Sequence, residues 1–176
     1  MRDENLTSTY IQALSNINSE KKDLIQVFES LGLPNKKTEN YKYTQLHHIL
    51  PKEFKVLKDG NEGSFDQSLL KGIPYALYFS NGKYLADLSK LPDGIKLEQK
   101  GKSSCWDHSD AFEVLNEVAA PNQYFLNIPK NTQVPPMAII HYGNEKGNGV
   151  YLPQINFHLE TGAQVSILEM FISDDQ

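Results

Sequence analysis

Cys105 and His108 form a Cys-x-x-His pair, and thiolate and imidazole at that spacing can chelate one metal ion. A closed structural site needs four ligands, and Cys105 is the only cysteine in the chain. His47, His48, His141 or His158 would have to complete the set from distant positions. The same pair can be read as nucleophile and base, with Asp107 beside it, but nothing around Cys105 matches a known nucleophile signature. The plainer reading is an exposed loop ahead of a helix, with Trp106 as a packing anchor. We therefore assign no catalytic, cofactor-binding or metal-binding residue. Cys105 and His108 stay as the alternative: an enzyme or metal-binding module built on a β-solenoid or β-sandwich.

The other chemistry-bearing patterns read as structure. His47 and His48 are adjacent, so on a helix they point about 100° apart and cannot share a face; one is expected buried and one exposed. The run Gly143-Asn144-Glu145-Lys146-Gly147-Asn148-Gly149 is rich in glycine, but no Gly-Lys-Ser/Thr follows at the spacing a phosphate loop needs. It reads as a mobile turn between strands. No Gly-x-Gly-x-x-Gly joins a strand to a helix, and no pair of acids stands out as a glycosidase dyad.

The formal charge is −5, and the pairs Lys21-Lys22 and Lys36-Lys37 are isolated and flanked by acids. Nucleic acid recognition needs a basic face that displaces phosphate counterions, so neither nucleic acid nor an anionic membrane is expected as a partner. A single cysteine excludes an intrachain disulfide and fits a reducing compartment. No run approaches the ~20 apolar residues that span a bilayer. The start Met1-Arg2-Asp3-Glu4-Asn5 lacks the apolar stretch of a signal peptide, so a cytoplasmic location is expected. At 176 residues the chain suits one domain or one with part of a second, and nine Tyr with eight Phe supply enough apolar bulk for an ordered core.

Periodicity then places the elements. Leu6, Tyr10, Leu14 and Ile17 form one helical stripe and Leu24, Ile25, Phe28 and Leu31 a second, which predicts a helical hairpin ended by Gly32 and Pro34. Residues 36–50 are a short helix or an extended arm. Residues 54–57 alternate like a strand, and 59–63 are rich in turn formers. Strands at 75–79 and 84–86 flank Asn81-Gly82, which favours a tight type I′ turn. Residues 95–97 make another short strand. A helix is predicted over 109–119, capped by Ser109, with Phe112, Leu115 and Ala119 on its buried face. Beyond Pro121 only strands appear, at 124–128, 137–142, 154–159 and 164–172, compatible with a sandwich, a barrel or a β-solenoid. No clean internal repeat is visible. The apolar last strand stops four residues before Gln176, which predicts a natural chain longer than this one.

Two segments go beyond pattern. Gly32-Leu33-Pro34, followed by Lys37-Thr38-Glu39-Asn40-Tyr41-Lys42-Tyr43-Thr44 and Leu46, resembles the N-terminal signature of the SufD family of iron–sulfur cluster assembly proteins, with Tyr41 where many members carry Trp. Tyr124-Phe125-Leu126-Asn127-Ile128-Pro129-Lys130, then Pro136 and Ile139-Ile140-His141, resembles the start of that family's β-helix. Leu91-Pro92-Asp93-Gly94-Ile95 and the stretch from Leu159-Glu160 through Gly162-Ala163 and Ser166 to Glu169 agree in order and spacing.

The resemblance implies an α+β fold: an N-terminal helical hairpin (1–52), a small α/β segment with a capping helix (53–121) and the first coils of a right-handed parallel β-helix (122–176). It implies a non-catalytic subunit of a SufBCD-type scaffold complex, with a SufB-like paralogue and a SufC-like ATPase as partners. No cofactor is implied for this segment, and iron–sulfur cluster association belongs to the full complex. The family's cluster-related and ATPase-binding residues lie beyond Gln176, so none is carried over. An uncovered last strand also predicts homo-oligomerisation. Tyr41-Lys42-Tyr43 is either a partner contact or a packing element of the helical region. A carbohydrate-binding β-module, with exposed aromatic rings stacking on sugars, is the remaining reading.

Overall fold

The computed structural model describes residues 2–56, 70–99, 107–143 and 149–173. Cys105, Trp106, the turn at 59–63 and most of the glycine-rich run 143–149 lie outside the described residues. The fold is mixed α+β, and no sheet closes into a barrel among the described residues. The elements divide into two compact units: one holds the helices and one strand pair, and the other holds the remaining strands.

In the helical unit, α1 (Arg2–Ile17) and α2 (Lys22–Leu31) form the expected pair, and α4 (Ala111–Ala119) packs on both. Their shared core is Tyr10, Leu14, Ile25, Phe28, Val114, Leu115 and Val118. The second stripe is narrower than its periodicity predicts, because Leu31 at the end of α2 is 42% exposed. Gly32 (φ +66) then turns the chain, and its N–H donates to Phe28 O at 2.8 Å. That turn delivers Leu33 into the core. The Gly-Leu-Pro signature is thus a helix stop followed by an anchor.

The segment 36–50 resolves into a 3-10 turn (Glu39–Tyr41) and the four-residue helix α3 (Leu46–Ile49). Of the predicted strand 54–57, Lys55–Val56 is paired, and Leu57 lies outside the described residues. This strand, β1, runs parallel to β7 (Gly149–Val150), which the sequence reading did not contain. Helix α4 is capped by Asp110 and not by Ser109. Asp110 has extended backbone and its Oδ1 accepts from Phe112 N at 2.7 Å, while Asp107 Oδ1 accepts from Ser109 N. A carboxylate at the cap satisfies a free helix donor and also faces the positive end of the helix dipole, which a hydroxyl does less well. Phe112 is half-buried, and Ala111, Val114, Leu115, Val118 and Ala119 form the buried face.

The strand unit rests on parallel pairing. β2 (Tyr75–Ser80) is joined to β3 (Lys83–Tyr84) through Asn81 (φ +46) and Gly82 (φ +82), the tight turn expected of Asn-Gly. β3 ends two residues early, where a 3-10 turn (Ala86–Leu88) takes over. β6 (Met137–Gly143) lies parallel to β2 on one side and to β9 (Ile167–Ser173) on the other. A second sheet places β5 (Tyr124–Ile128) between antiparallel β4 (Lys96–Gln99) and parallel β8 (Ile155–Leu159).

Tyr124 lies opposite Ile155 and Met137 opposite Ile167, so the chain returns to equivalent positions after about 30 residues, inside the range of repeat architectures. This is an internal repeat, which corrects the sequence reading. β5-turn-β6 is one rung and β8-turn-β9 the next. Their turns stack as well: Asn131 N donates to Thr161 O, and Gln164 N to Thr132 O. Gln133-Val134 sits on Gln164-Val165 with a parallel bridge between the glutamines. The left-handed position is Asn131 (φ +56) in one turn and Gly162 (φ +75) in the other.

A Cβ on Gly162 would stand 2.4 Å from Asn131 Oδ1, whereas one on Gly94 (φ +80) would meet nothing within 4 Å. Gly94→Ala is expected to cost about 1–2 kcal/mol from its backbone alone. Gly162→Ala adds a clash between stacked turns and should cost clearly more in chemical denaturation. Equal losses would show that the Asn131 side chain moves aside and that its contact with Gly162 is not tight.

Candidate functional site

The arm from Asn35 to Leu50 carries the residues with the strongest motif character, and one carboxylate ties it down. Tyr41 OH donates to Asp110 Oδ2 at 2.7 Å, and the ring meets Phe112 edge-on at 5.6 Å. Asp110 therefore serves two elements, since its other oxygen caps α4. Burial first, then the hydrogen bond and charge of Asp110 and the charge of Glu113, push the Tyr41 phenol up to about 12. The neutral phenol is the folded form, so this contribution is whole below its ordinary value and is lost as pH rises through about 12.

Two residues on, the environment reverses. Tyr43 is 91% exposed, with the Lys42 ammonium 5.2 Å from its ring centre, and Lys42 also pairs with Glu39. Ile49, at the end of α3, is 69% exposed. The two readings of Tyr41-Lys42-Tyr43 thus divide by residue. Tyr41 is a packing element, and Tyr43 with Ile49 forms the exposed apolar part of the arm. Nothing in the residue types separates the two tyrosines; the Asp110 partner that does so lies 69 residues away.

Among the described side chains, the histidines are distributed and do not converge. His108 (φ +57) bonds through Nε2 to Glu117 Oε2 at 2.7 Å, across one face of α4's entry and exit. Lys21 Nζ donates to the Glu117 carbonyl, joining the start of α2 to the end of α4. His48 and His158 are exposed. Among the described residues no three His, Cys, Asp or Glu side chains are placed to hold a metal ion. Cys105 lies outside those residues, so the Cys-x-x-His pairing has no geometry to add.

Among the described side chains, His141 is the histidine found in a core, 1% exposed on β6. The parallel register stacks Phe79, His141 and Phe171 in one column, with ring centres 5.4 Å and 4.6 Å apart. Its Nε2 lies 2.8 Å from Glu169 Oε1, and its Nδ1 is buried with no hydrogen-bond partner. An ionised carboxylate only accepts, so the neutral ring carries its proton on Nε2. Burial lowers the His141 pKa, and the bond and charge of Glu169 oppose that shift. Sequence reasoning had Glu169 within a motif but not as the partner of His141.

Residues 3–69 match the family model described as SufBD protein N-terminal region. The matched stretch covers α1 from Asp3 onward, α2, the arm, α3 and β1, and ends before β2. It supports the SufB/SufD family without separating the two paralogues. No curated protein matches the chain. Among the described residues, no helix is long and apolar enough to cross a membrane.

The two tyrosines should separate by measurement. Tyr41→Phe removes one charge-assisted hydrogen bond and is expected to cost about 1 kcal/mol. For a chain of this size that corresponds to a melting temperature lower by roughly 2–4 °C. Tyr43→Ala should stay within about 0.5 kcal/mol of the parent. A reversed order in thermal unfolding would overturn the assignment of Tyr41 to packing.

Proposed function

We propose that this chain is the N-terminal, non-catalytic part of a SufD-type subunit of a SufBCD-type iron–sulfur cluster assembly scaffold. The observation that carries the proposal is the match of residues 3–69 to the SufBD N-terminal region, which supports a role in SUF-type iron–sulfur cluster assembly. The motif order from Gly32 to Glu169 favours SufD over its paralogue. The two stacked rungs and their repeat of about 30 residues support the reading of the strand unit as the first coils of a right-handed parallel β-helix.

In this role the chain acts by shape. The helical unit holds the arm through Asp110 and offers Tyr43 and Ile49 to a partner, while the rungs give a stiff platform. No step of bond making is assigned to its residues, and the cluster belongs to the full complex. The working location is the cytoplasm, and the partners are a SufB-like paralogue and a SufC-like ATPase.

Native mass spectrometry on the endogenously tagged protein tests this directly. The expected result is a complex containing an ATPase and a paralogous subunit, weakened by Tyr43→Ala if the arm is a contact. A tagged protein that elutes free of both partners would remove the functional proposal.

A further inference from the structure

We propose that the arm is a docking site for an acidic segment of a partner protein, one that sets a bulky apolar side chain beside two or more carboxylates. This deepens the reading of the arm as a partner contact and rests on it. Charge is the first ground. Residues 35–52 carry four Lys against one Glu, a net +3. The whole chain carries 17 basic against 22 acidic side chains, so the remainder holds 13 against 21, a net −8. Lys36, Lys37 and Lys52 are exposed, and Glu39, the acid of this stretch, is paired with Lys42. The arm is a basic island on an acidic chain.

Apolar exposure marks the same stretch. Tyr43 at 91% and Ile49 at 69% are the most exposed large apolar side chains among the described residues. Leu159, Ile167, Leu168 and Phe171 are exposed as well, but they lie on β8 and β9, where a further coil of a β-helix would stack on them. Tyr43 and Ile49 belong to no ladder, so a further coil does not account for them. The backbone beneath them is fixed. Leu33 is buried in the helical core before the arm, Tyr10 OH donates to Pro51 O at 3.1 Å after it, and Tyr41 is bonded to Asp110 in between. An arm held in this way presents its side chains at little ordering cost when a partner binds.

The Lys42 ammonium lies 5.2 Å from the centre of the Tyr43 ring, which puts a cation and an apolar face side by side. A carboxylate of the partner meets the first, and a neighbouring aliphatic or aromatic side chain covers the second. Such a contact is made within a Debye length of about 8 Å, so the local positive charge governs it and acids of the remainder beyond that distance are screened. A nucleic acid is a poorer match. It is a long polyanion whose strong binding rests on roughly 6–10 phosphate contacts. Beyond the four lysines of residues 35–52 it would meet a chain of net −8. A short acidic segment needs only the local match.

Selection of random dodecapeptides on phage against the immobilised full chain, at about 0.15 M salt, reads the preference of the arm. The expected result is enrichment of net-acidic peptides that contain a bulky apolar residue. In fluorescence anisotropy the enriched peptide should bind Tyr43→Ala severalfold more weakly than the parent. The triple variant Lys36→Glu, Lys37→Glu, Lys42→Glu should bind it at least about tenfold more weakly. Tyr43→Ala leaves the fold intact, so it decides the matter if the triple variant fails to fold. Enrichment of neutral or basic peptides overturns the proposal. So does no enrichment, an affinity unchanged in Tyr43→Ala, or tighter binding of a thymidine oligonucleotide than of the peptide at the same salt. Native mass spectrometry reads the assembly role separately. A complex with the ATPase and the paralogue, but no acidic preference on the arm, would sink the docking proposal and leave the scaffold reading standing; an acidic preference without that complex would do the reverse.

Discussion

Strand β6 is buried on both faces, and a strand in that position cannot leave a backbone donor or acceptor unpaired. Its residues alternate between two cores. Met137 and Ile139 join Leu77, Phe79 and Leu126, while Ala138 and Ile140 join Ala76 on the other side. The amides therefore have to be met in the plane of the sheet, by β2 on one edge and β9 on the other. Both neighbours run parallel, and parallel neighbours cannot be joined by a tight hairpin. The long returns through β5 and β8 follow from that requirement, as does the stacking of their turns. One doubly buried strand thus fixes the order of the sheet, the length of the repeat and the column of rings that contains His141.

Elsewhere the structure uses carboxylates as joints. Asp110 holds Tyr41 while capping α4, Glu117 holds His108, and Glu169 holds His141. Each pair brings together residues from different elements or from the two ends of one helix region. Charge-assisted hydrogen bonds suit this task because they are short and directional, so a single bond fixes an orientation that apolar contact leaves loose. The helical unit relies on apolar packing for its cohesion and on Asp110 for the placement of its arm.

Local signals were legible in the sequence and distant pairings were not. The stripes of α1 and α2, the limits of β5 and the Asn81-Gly82 turn depend on neighbours in the chain, and periodicity exposes them. The cap of α4 was misplaced by one residue because Ser109 and Asp110 are both competent, and the choice rests on Asp107 closing onto Ser109 and on Tyr41 bonding Asp110. The β1–β7 pair has two residues on each strand among the described residues, too few for any pattern to register. The repeat escaped because its two copies share a conformation more than a composition: Asn131 in one turn does what Gly162 does in the next, and only Gln-Val recurs. Of the candidate site, the arm was visible as a motif. The division between a packed Tyr41 and an exposed Tyr43 was not, and neither was the meeting of His141 with Glu169, because both depend on residues far along the chain.

The helical unit is assembled from separated stretches of chain, since α4 enters it only after β2, β3 and β4 of the strand unit, and β7 later still. During synthesis α1 and α2 leave the ribosome long before α4 exists. At roughly 5–20 residues per second the pair waits several seconds with one apolar face uncovered. A two-helix hairpin of this length has little stability without its third helix. The helical unit is therefore a late product of translation although its first two helices are made early, and its segments alternate along the chain with those of the strand unit. Contacts of such long sequence separation form slowly, so the core of the helical unit is completed only when α4 arrives.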